Sequence, residues 1–333
     1  VITRRQFVRH LAVAGAAGTL GFGRELRAAE PPPETTRIRF ASGGVCAAPQ
    51  HVAGELLRAE GFEDVHYLAA EERLKDATMT AAGEADFTFS FITRLLIHID
   101  EGRPLVILCG GHAGCIEVFG ARGIRTLRDL KGKVVATPVA GLGPNALLVL
   151  MFAYIGIDPN KDIEWRIEPR HEEAVRLLEE GKVHAYSAAP PRSLEMRARG
   201  IGNVILNTTT DRPWSEHFCC MVGVNRDFLR KHPVATKRAL RALLKSANLC
   251  ASEPERAASI IGKRHPTLKP DILLQAMKEL PYRSWRELSP ENTVRFYALR
   301  MHELGIIKSD PNKLITRGTD WRFFNELKKE LKA

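Results

Sequence analysis

Beyond residue 29 the sequence contains no apolar run of the ~18 residues that a helix needs to cross a bilayer. The densest such run, Ala146 to Ala153, is too short to span and fits a buried helix. The G-x-S-x-G and H-E-x-x-H signatures of serine hydrolases and zinc peptidases are missing, and no Gly-Lys-Ser/Thr follows the central glycine loop, which excludes a P-loop. That loop offers only Gly141-Leu142-Gly143, so it does not match the dinucleotide pattern G-x-G-x-x-G. Nor do the six cysteines form a metal pattern by spacing. Cys109-x5-Cys115 is too wide for a knuckle, and the adjacent Cys219 and Cys220 point apart if they lie on a regular strand. No metal and no cofactor is expected.

The 333 residues are enough for a sizeable core divided between two lobes. The formal charge is +10, and residues 1–29 carry a net +4 of it, from five arginines against Glu25, leaving +6 for the remainder. That first segment has Arg4-Arg5-Gln6-Phe7, a mildly apolar stretch from Leu11 to Phe22, and small residues at Ala28-Ala29 before Glu30 and three prolines. The order basic, apolar, small describes an export signal of twin-arginine type over 1–29, with a stiff linker over 30–35. A periplasmic, soluble mature chain is expected. An oxidising compartment would permit disulfides, and a Cys109–Cys115 bridge and a set of buried small thiols both remain open. Basic residues are interleaved with Asp and Glu along the helical C-terminal third, the pattern of a solvated face and not of a nucleic-acid surface.

The chain is organised around Gly132 to Leu150: a β-branched strand, Lys133 to Thr137, then the Gly141-Leu142-Gly143 loop, then a helix with Pro144 in its first turn that stops at Gly156-Ile157-Asp158-Pro159. In an open sheet such a loop presents the unpaired N–H groups of a helix start to a polar or anionic ligand. Strand and helix alternate on both sides of it. Strands are expected near 36–41, 65–69, 86–91 and 105–109, and again near 115–119, 163–167, 183–186 and 204–206; Gly110-Gly111-His112-Ala113-Gly114 reads as a turn. Phe218 to Asn225 reads as a strand returning to the first lobe, and helices follow to the end, the last of them, near 321–331, packing across the first lobe.

The glycine pair after the first strand, the Phe-rich strand, Asp129-Leu130-Lys131-Gly132-Lys133, and Asn225-Arg226-Asp227-Phe228-Leu229 together resemble the periplasmic substrate-binding proteins of ABC importers, in the nitrate/sulfonate/taurine and thiamine-precursor branch. The resemblance implies an α/β, type II periplasmic binding protein fold: two lobes of mostly parallel sheet flanked by helices and joined by two crossover strands. It implies lobe 1 from 36–117 plus 225–333 and lobe 2 from 118–224. It also implies a monomer that holds a small-molecule ligand in the cleft and docks on an ABC permease and ATPase complex. Carried onto this chain, the ligand positions are Gly43, Gly44, Val45 and Cys46; Thr88, Phe89, Ser90 and Phe91; Gly141, Leu142, Gly143 and Asn145; and Tyr186 and Pro190, with Trp214 as a further flat surface. Leu142 and Pro144 replace the hydroxyl and N–H that the common anion cradle would have, which favours an organic, polar or aromatic solute over bare nitrate. Two other readings stand beside import. One is a ligand-binding protein serving a sensor. The other is an enzyme like the pyrimidine-precursor synthases of the same branch, for which His51, His98, His112, His171, His184 and His217 are acid/base candidates and Cys46 and Cys115 nucleophile candidates. An export signal fits that cytosolic chemistry poorly, and no catalytic residue is assigned.

Overall fold

A computed structural model describes residues 30–69, 75–138 and 144–333. The export segment 1–29 and Gly141, Leu142 and Gly143 of the central loop lie outside the described residues. Ten strands are described, in two five-stranded sheets. The first has the order β2-β1-β3-β10-β4, built from β1 (Arg37–Ser42), β2 (Asp64–Ala69), β3 (Phe87–Phe91), β4 (Leu105–Ala113) and β10 (Phe218–Asn225). The second has the order β7-β6-β8-β5-β9, built from β5 (Glu117–Gly120), β6 (Lys133–Thr137), β7 (Ile163–Ile167), β8 (Ala185–Ala188) and β9 (Asn203–Asn207). Each sheet is mixed, with four of its five strands running the same way and one reversed: β10 runs antiparallel to both β3 and β4, and β5 antiparallel to both β8 and β9. The antiparallel member in each case is a strand at a crossing between the sheets. The chain crosses at 114–116 and returns at 208–217. All of β10 pairs in the first sheet, so a division at 224 falls at the far end of a strand that belongs to the first sheet.

The helices that bear on the site are α1 (Ala48–Val52), α2 (Gly54–Ala59), α3 (Asp76–Ala81), α4 (Ile92–Asp100), α5 (Pro144–Tyr154), α6 (His171–Glu179) and α7 (Arg192–Ala198). After β10 come α8 (Arg226–Lys231), α9 (Pro233–Ser252), α10 (Pro254–Arg264), α11 (Pro270–Glu279), α12 (Pro290–Glu303), α13 (Pro311–Gly318) and α14 (Arg322–Glu330). Prolines open five of these C-terminal helices, α9 to α13, where a missing N–H costs nothing. Leu148, Met151 and Phe152 of α5 are fully buried, as expected for a helix that is apolar almost all round. The tail helix α14 buries Phe324 and Leu327 and is tied to α9 by Lys237–Glu326 (2.7 Å) and Arg241–Glu330 (2.7 Å).

The segment read as a glycine turn after residue 109 is instead the continuation of β4 through Ala113. Gly110 and Gly111 are needed there for room and not for a turn. A Cβ on Gly110 would stand 2.3 Å from the Phe218 ring, and one on Gly111 2.0 Å from Cζ of Phe89. Both distances are well inside contact, so the two phenylalanines pack directly on bare backbone.

Candidate functional site

The site is built where the two crossings meet the loop after β1. Gly44 opens a 3-10 turn, Val45–Ala47, by accepting from the Ala47 N–H (2.8 Å). Two groups fasten this loop. The buried His51 ring donates from Nε2 to the Gly43 carbonyl (3.1 Å), and Tyr282 donates its hydroxyl to the Val45 carbonyl (3.1 Å). Burial lowers the His51 pKa to about 4, so the ring is a neutral donor. Gly43 is close to Ala47, where an added Cβ would come to 2.9 Å.

His112, at the end of β4, is fully buried and held on every side. Its ring stacks on Phe89 (5.8 Å between centroids, 23°) and receives the edge of Tyr282 (5.6 Å, 80°). Nδ1 donates to the Gly114 carbonyl at 2.7 Å, with the Ala113 carbonyl at 3.2 Å, while buried Nε2 has no hydrogen-bond partner. Around it gather four thiols. One ligating atom each from Cys46, His112 and Cys115 lie within 4.8 Å of one another, and the same holds for Cys115, Cys219 and Cys220. Cys115 and Cys219 sulfurs are 3.2 Å apart, and no disulfide joins any of the six cysteines.

This overturns the expectation that Cys219 and Cys220 point apart, and the fold gathers donors that sequence spacing did not. The β4–β10 ladder is not regular: Phe218 pairs Ala113, Cys220 pairs His112 and Met221 pairs Gly110, so Cys219 and Gly111 are each an extra residue in a bulge. Two bulges flanking one pair of residues re-aim both sulfurs toward Cys115. Burial alone would raise the Cys219 pKa. Hydrogen bonding from Cys115 and Cys220 outweighs it and brings Cys219 down to about 6. Burial and the shared hydrogen bond push Cys115 the other way, well above an ordinary thiol. Burial also opposes charge on His112, but the neighbouring Cys220 and Cys46 hold its pKa above the ordinary imidazole value. The arrangement is a nest of polarised thiols around one imidazole, able to hold a soft cation or to stabilise a single thiolate.

The remaining expected positions are dispersed. Phe91 lies under the Arg94 guanidinium (5.6 Å), and Arg94 pairs with Asp76 in the interior. Thr88 and Ser90 are buried with hydroxyls lacking hydrogen-bond partners, as is the Asn145 side-chain oxygen in the first turn of α5. Tyr186 packs in the apolar cluster of the second sheet, its hydroxyl 3.1 Å from His171 Nδ1. Pro190 is buried ahead of α7. Trp214 fills the gap between α5 and α12, against Tyr154, Phe296 and Tyr297. Each of these aromatic residues is therefore engaged by a different neighbour, and Phe89 is the one that meets the loop after β1 through His112. Among the histidines, His98 reaches Thr78, His184 accepts from the Val134 N–H, and His217 stacks on Phe296 at 3.8 Å. Among the described histidines, only His112 is grouped with cysteines. Its place there had no signal in spacing, because three separate chain segments supply the group; the available sign was that Cys115, Cys219 and Cys220 fall at strand ends near the crossings and Cys46 in the loop after β1.

Residues 46–262 match the NMT1-like family. Among curated relatives, the nitrate import ATP-binding protein NrtC of Synechocystis is 29% identical over 149 residues, 41% of this chain and 22% of that protein, so the chain matches under a quarter of its length. The solved structure of the periplasmic nitrate-binding protein NrtA from Synechocystis superposes with a TM-score of 0.76 over 90% of each chain at 16% identity. The desulfurization enzyme DSZB has the same fold, with a TM-score of 0.62 at 12% identity over 89% of this chain and 99% of that one. Fold and chemistry are thus separable here. Two mixed sheets joined by two crossings are the periplasmic binding protein fold, and with two thirds of its length matched the chain belongs to the NMT1-like family.

Proposed function

We propose that this chain is the extracytoplasmic solute-binding component of an ABC importer, exported through its Arg4-Arg5 segment, and that it captures a small polar or anionic organic solute between its two sheets. The observation that carries the reading is architectural. The loop after β1, the end of β3 and the start of α5 all lie at strand ends or helix starts, where N–H groups and short polar side chains are available to a ligand and the rest of each element is core. Thr88, Ser90 and Asn145 supply buried polar atoms without protein partners. Such atoms are costly unless something else satisfies them, and a polar solute or water would. The +6 charge beyond residue 29 favours an acidic solute over a cationic one.

Calorimetric titration of the exported chain against nitrate, alkanesulfonates, aromatic carboxylates and pyrimidines, paired with small-angle scattering, tests the reading. Saturable one-to-one binding with a smaller radius of gyration is expected, and a Gly141→Trp variant is expected to lose it. Binding and closure by that variant equal to the parent's would remove the central loop from the site. Turnover of a bound compound would move the chain to the catalytic side of its fold. Export is checked separately: changing both Arg4 and Arg5 to lysine is expected to leave precursor in the cytoplasm.

A further inference from the structure

We propose that Cys46, His112, Cys115 and the Cys219–Cys220 pair bind one thiophilic d10 cation, Zn2+ or Cu+, where both crossings meet the loop after β1. Convergence is the first argument. The two groups of ligating atoms share Cys115, and each lies within a 4.8 Å circle. Donors about 2.0–2.3 Å from a tetrahedral ion stand roughly 3.3–3.8 Å from one another. Closing either group of three on an ion therefore needs shifts of about 1 Å or less, which side-chain rotation supplies, and a fourth donor comes from the other group through their shared Cys115 by a longer movement. Three sulfurs and one nitrogen satisfy Zn2+, and two or three sulfurs satisfy Cu+, while hard cations such as Mg2+ and Ca2+ would find no oxygen donors among these five side chains.

The second argument is His112 itself. A histidine that ligates a metal typically donates its other ring N–H to a backbone carbonyl, which fixes the tautomer and the ring plane. His112 does this through Nδ1 to Gly114, and Nε2, the nitrogen left to ligate, is buried and unpartnered. Cysteines acting as small apolar residues would account for Cys109 or Cys250, each buried apart from the group. They do not account for an imidazole of zero exposure whose second nitrogen faces only the weakly hydrogen-bonding thiols of Cys46 and Cys220. Three devices serve the convergence: Gly111 makes room for the Phe89 ring that stacks on His112, the bulge at Cys219 re-aims the vicinal pair, and Gly114, at φ +54°, lies so close to Thr209 that a Cβ would meet its backbone at 2.4 Å. Cys46 is half-buried and gives the ion its way in. Each cysteine that ligates releases its proton to solvent, so no further reactant is needed.

The inference is independent of the solute, since ion binding is measured without one. The reduced, chelator-stripped chain is titrated under argon with ZnCl2 against 4-(2-pyridylazo)resorcinol, and in a second arm with Cu+ in acetonitrile against bathocuproine disulfonate. Co2+ substitution reads thiolate ligation directly as near-ultraviolet charge transfer. One ion per chain is expected, with affinity lowered by about 100-fold in Cys115→Ser and at least about tenfold in Cys46→Ser, while Cys250→Ala binds as the parent. The stronger arm identifies the ion. Should Cys115→Ser fail to fold, Cys46→Ser, in the half-buried loop, carries the test. Absence of a stoichiometric ion in both arms, or binding by Cys46→Ser as tight as the parent's with no loss of charge-transfer absorption, overturns the proposal.

Discussion

At Gly111 a single hydrogen in place of a methyl group decides whether Phe89 can lie on β4 and face His112. Gly111→Ala places a Cβ 2.0 Å from Cζ of Phe89, an overlap that the ring relieves only by leaving its stack, at a cost of about 1–3 kcal/mol. Denaturant unfolding of Gly111→Ala, Phe89→Ala and the double variant should show strong coupling, the glycine change being nearly harmless once the ring is gone. Equal costs in both backgrounds would refute the contact. His51 offers a pH test. Its folded pKa, about 4, lies below the ordinary 6.5 because burial disfavours the charged ring. The unfolded chain therefore binds the proton first as pH falls. Stability from this residue is complete above pH 6.5 and is lost progressively down to about pH 4, roughly 2 kcal/mol of it by pH 5. The unfolding free energy of His51→Gln should then vary less between pH 7 and 5 than the parent's. At this scale the sequence put Phe89, Cys46 and His112 forward one by one, and the structure sets Phe89 and Cys46 beside His112. That the vicinal cysteines join them was not legible, because bulges set by long-range pairing direct their side chains.

Elements were legible where the pattern was local. β1, β3, β6, α5 and α9 follow from alternation, from glycine and proline punctuation, and from length. The misreading of 110–113 arose because adjacent glycines signal a turn unless some distant ring requires the bare backbone, and Phe218 is more than a hundred residues away. α13 went unread for a similar reason: Pro311–Gly318 is short, and its support is a cap from Asp310 to the Lys313 N–H (3.0 Å) together with packing on α4 and α12. The junction of β10 and α8 gives a prediction at this scale. Asn225 is buried and works at both ends of its amide. Its oxygen accepts from the N–H groups of Asp227 (2.9 Å) and Phe228 (3.3 Å), and its nitrogen donates to the Thr80 carbonyl (2.9 Å). Asn225→Ala removes a helix cap and one of two donors to the Thr80 carbonyl, which keeps the Gly83 N–H (3.2 Å), and should cost about 2 kcal/mol in denaturant unfolding, against about 1 kcal/mol for Asp310→Ala, whose loss is a surface cap alone. Equal losses from the two variants would show the Thr80 contact to be idle.

Across the whole molecule the two sheets are linked by covalent crossings at 114–116 and 208–217, and also by an ionic contact that can break. Arg197 on α7 of the second sheet pairs with Glu279 on α11, and its Nε lies 3.4 Å from Glu117 on β5. Burial raises the Glu117 pKa, with Arg197 opposing that rise and Glu279 adding to it. Arg197 is therefore shared between one carboxylate inside its own layer and one on the C-terminal helices. Both Arg197 and Glu279 are about a third exposed, so their pair is worth at most about 1 kcal/mol, roughly fivefold in an equilibrium between apposed and separated sheets. That is too little to hold the sheets together by itself, and enough to bias such an equilibrium if the sheets separate. Glu279→Gln removes the charge that crosses to α11 and leaves Glu117 its partner, whereas Arg197→Met also strands Glu117. Scattering from solute-free protein should show a larger radius of gyration for Glu279→Gln than for the parent at low salt. The two should converge at high salt, where screening removes the parent's pair as well. A radius identical in parent and variant at both salt concentrations would mean that packing, and not this ion pair, sets the resting separation of the sheets.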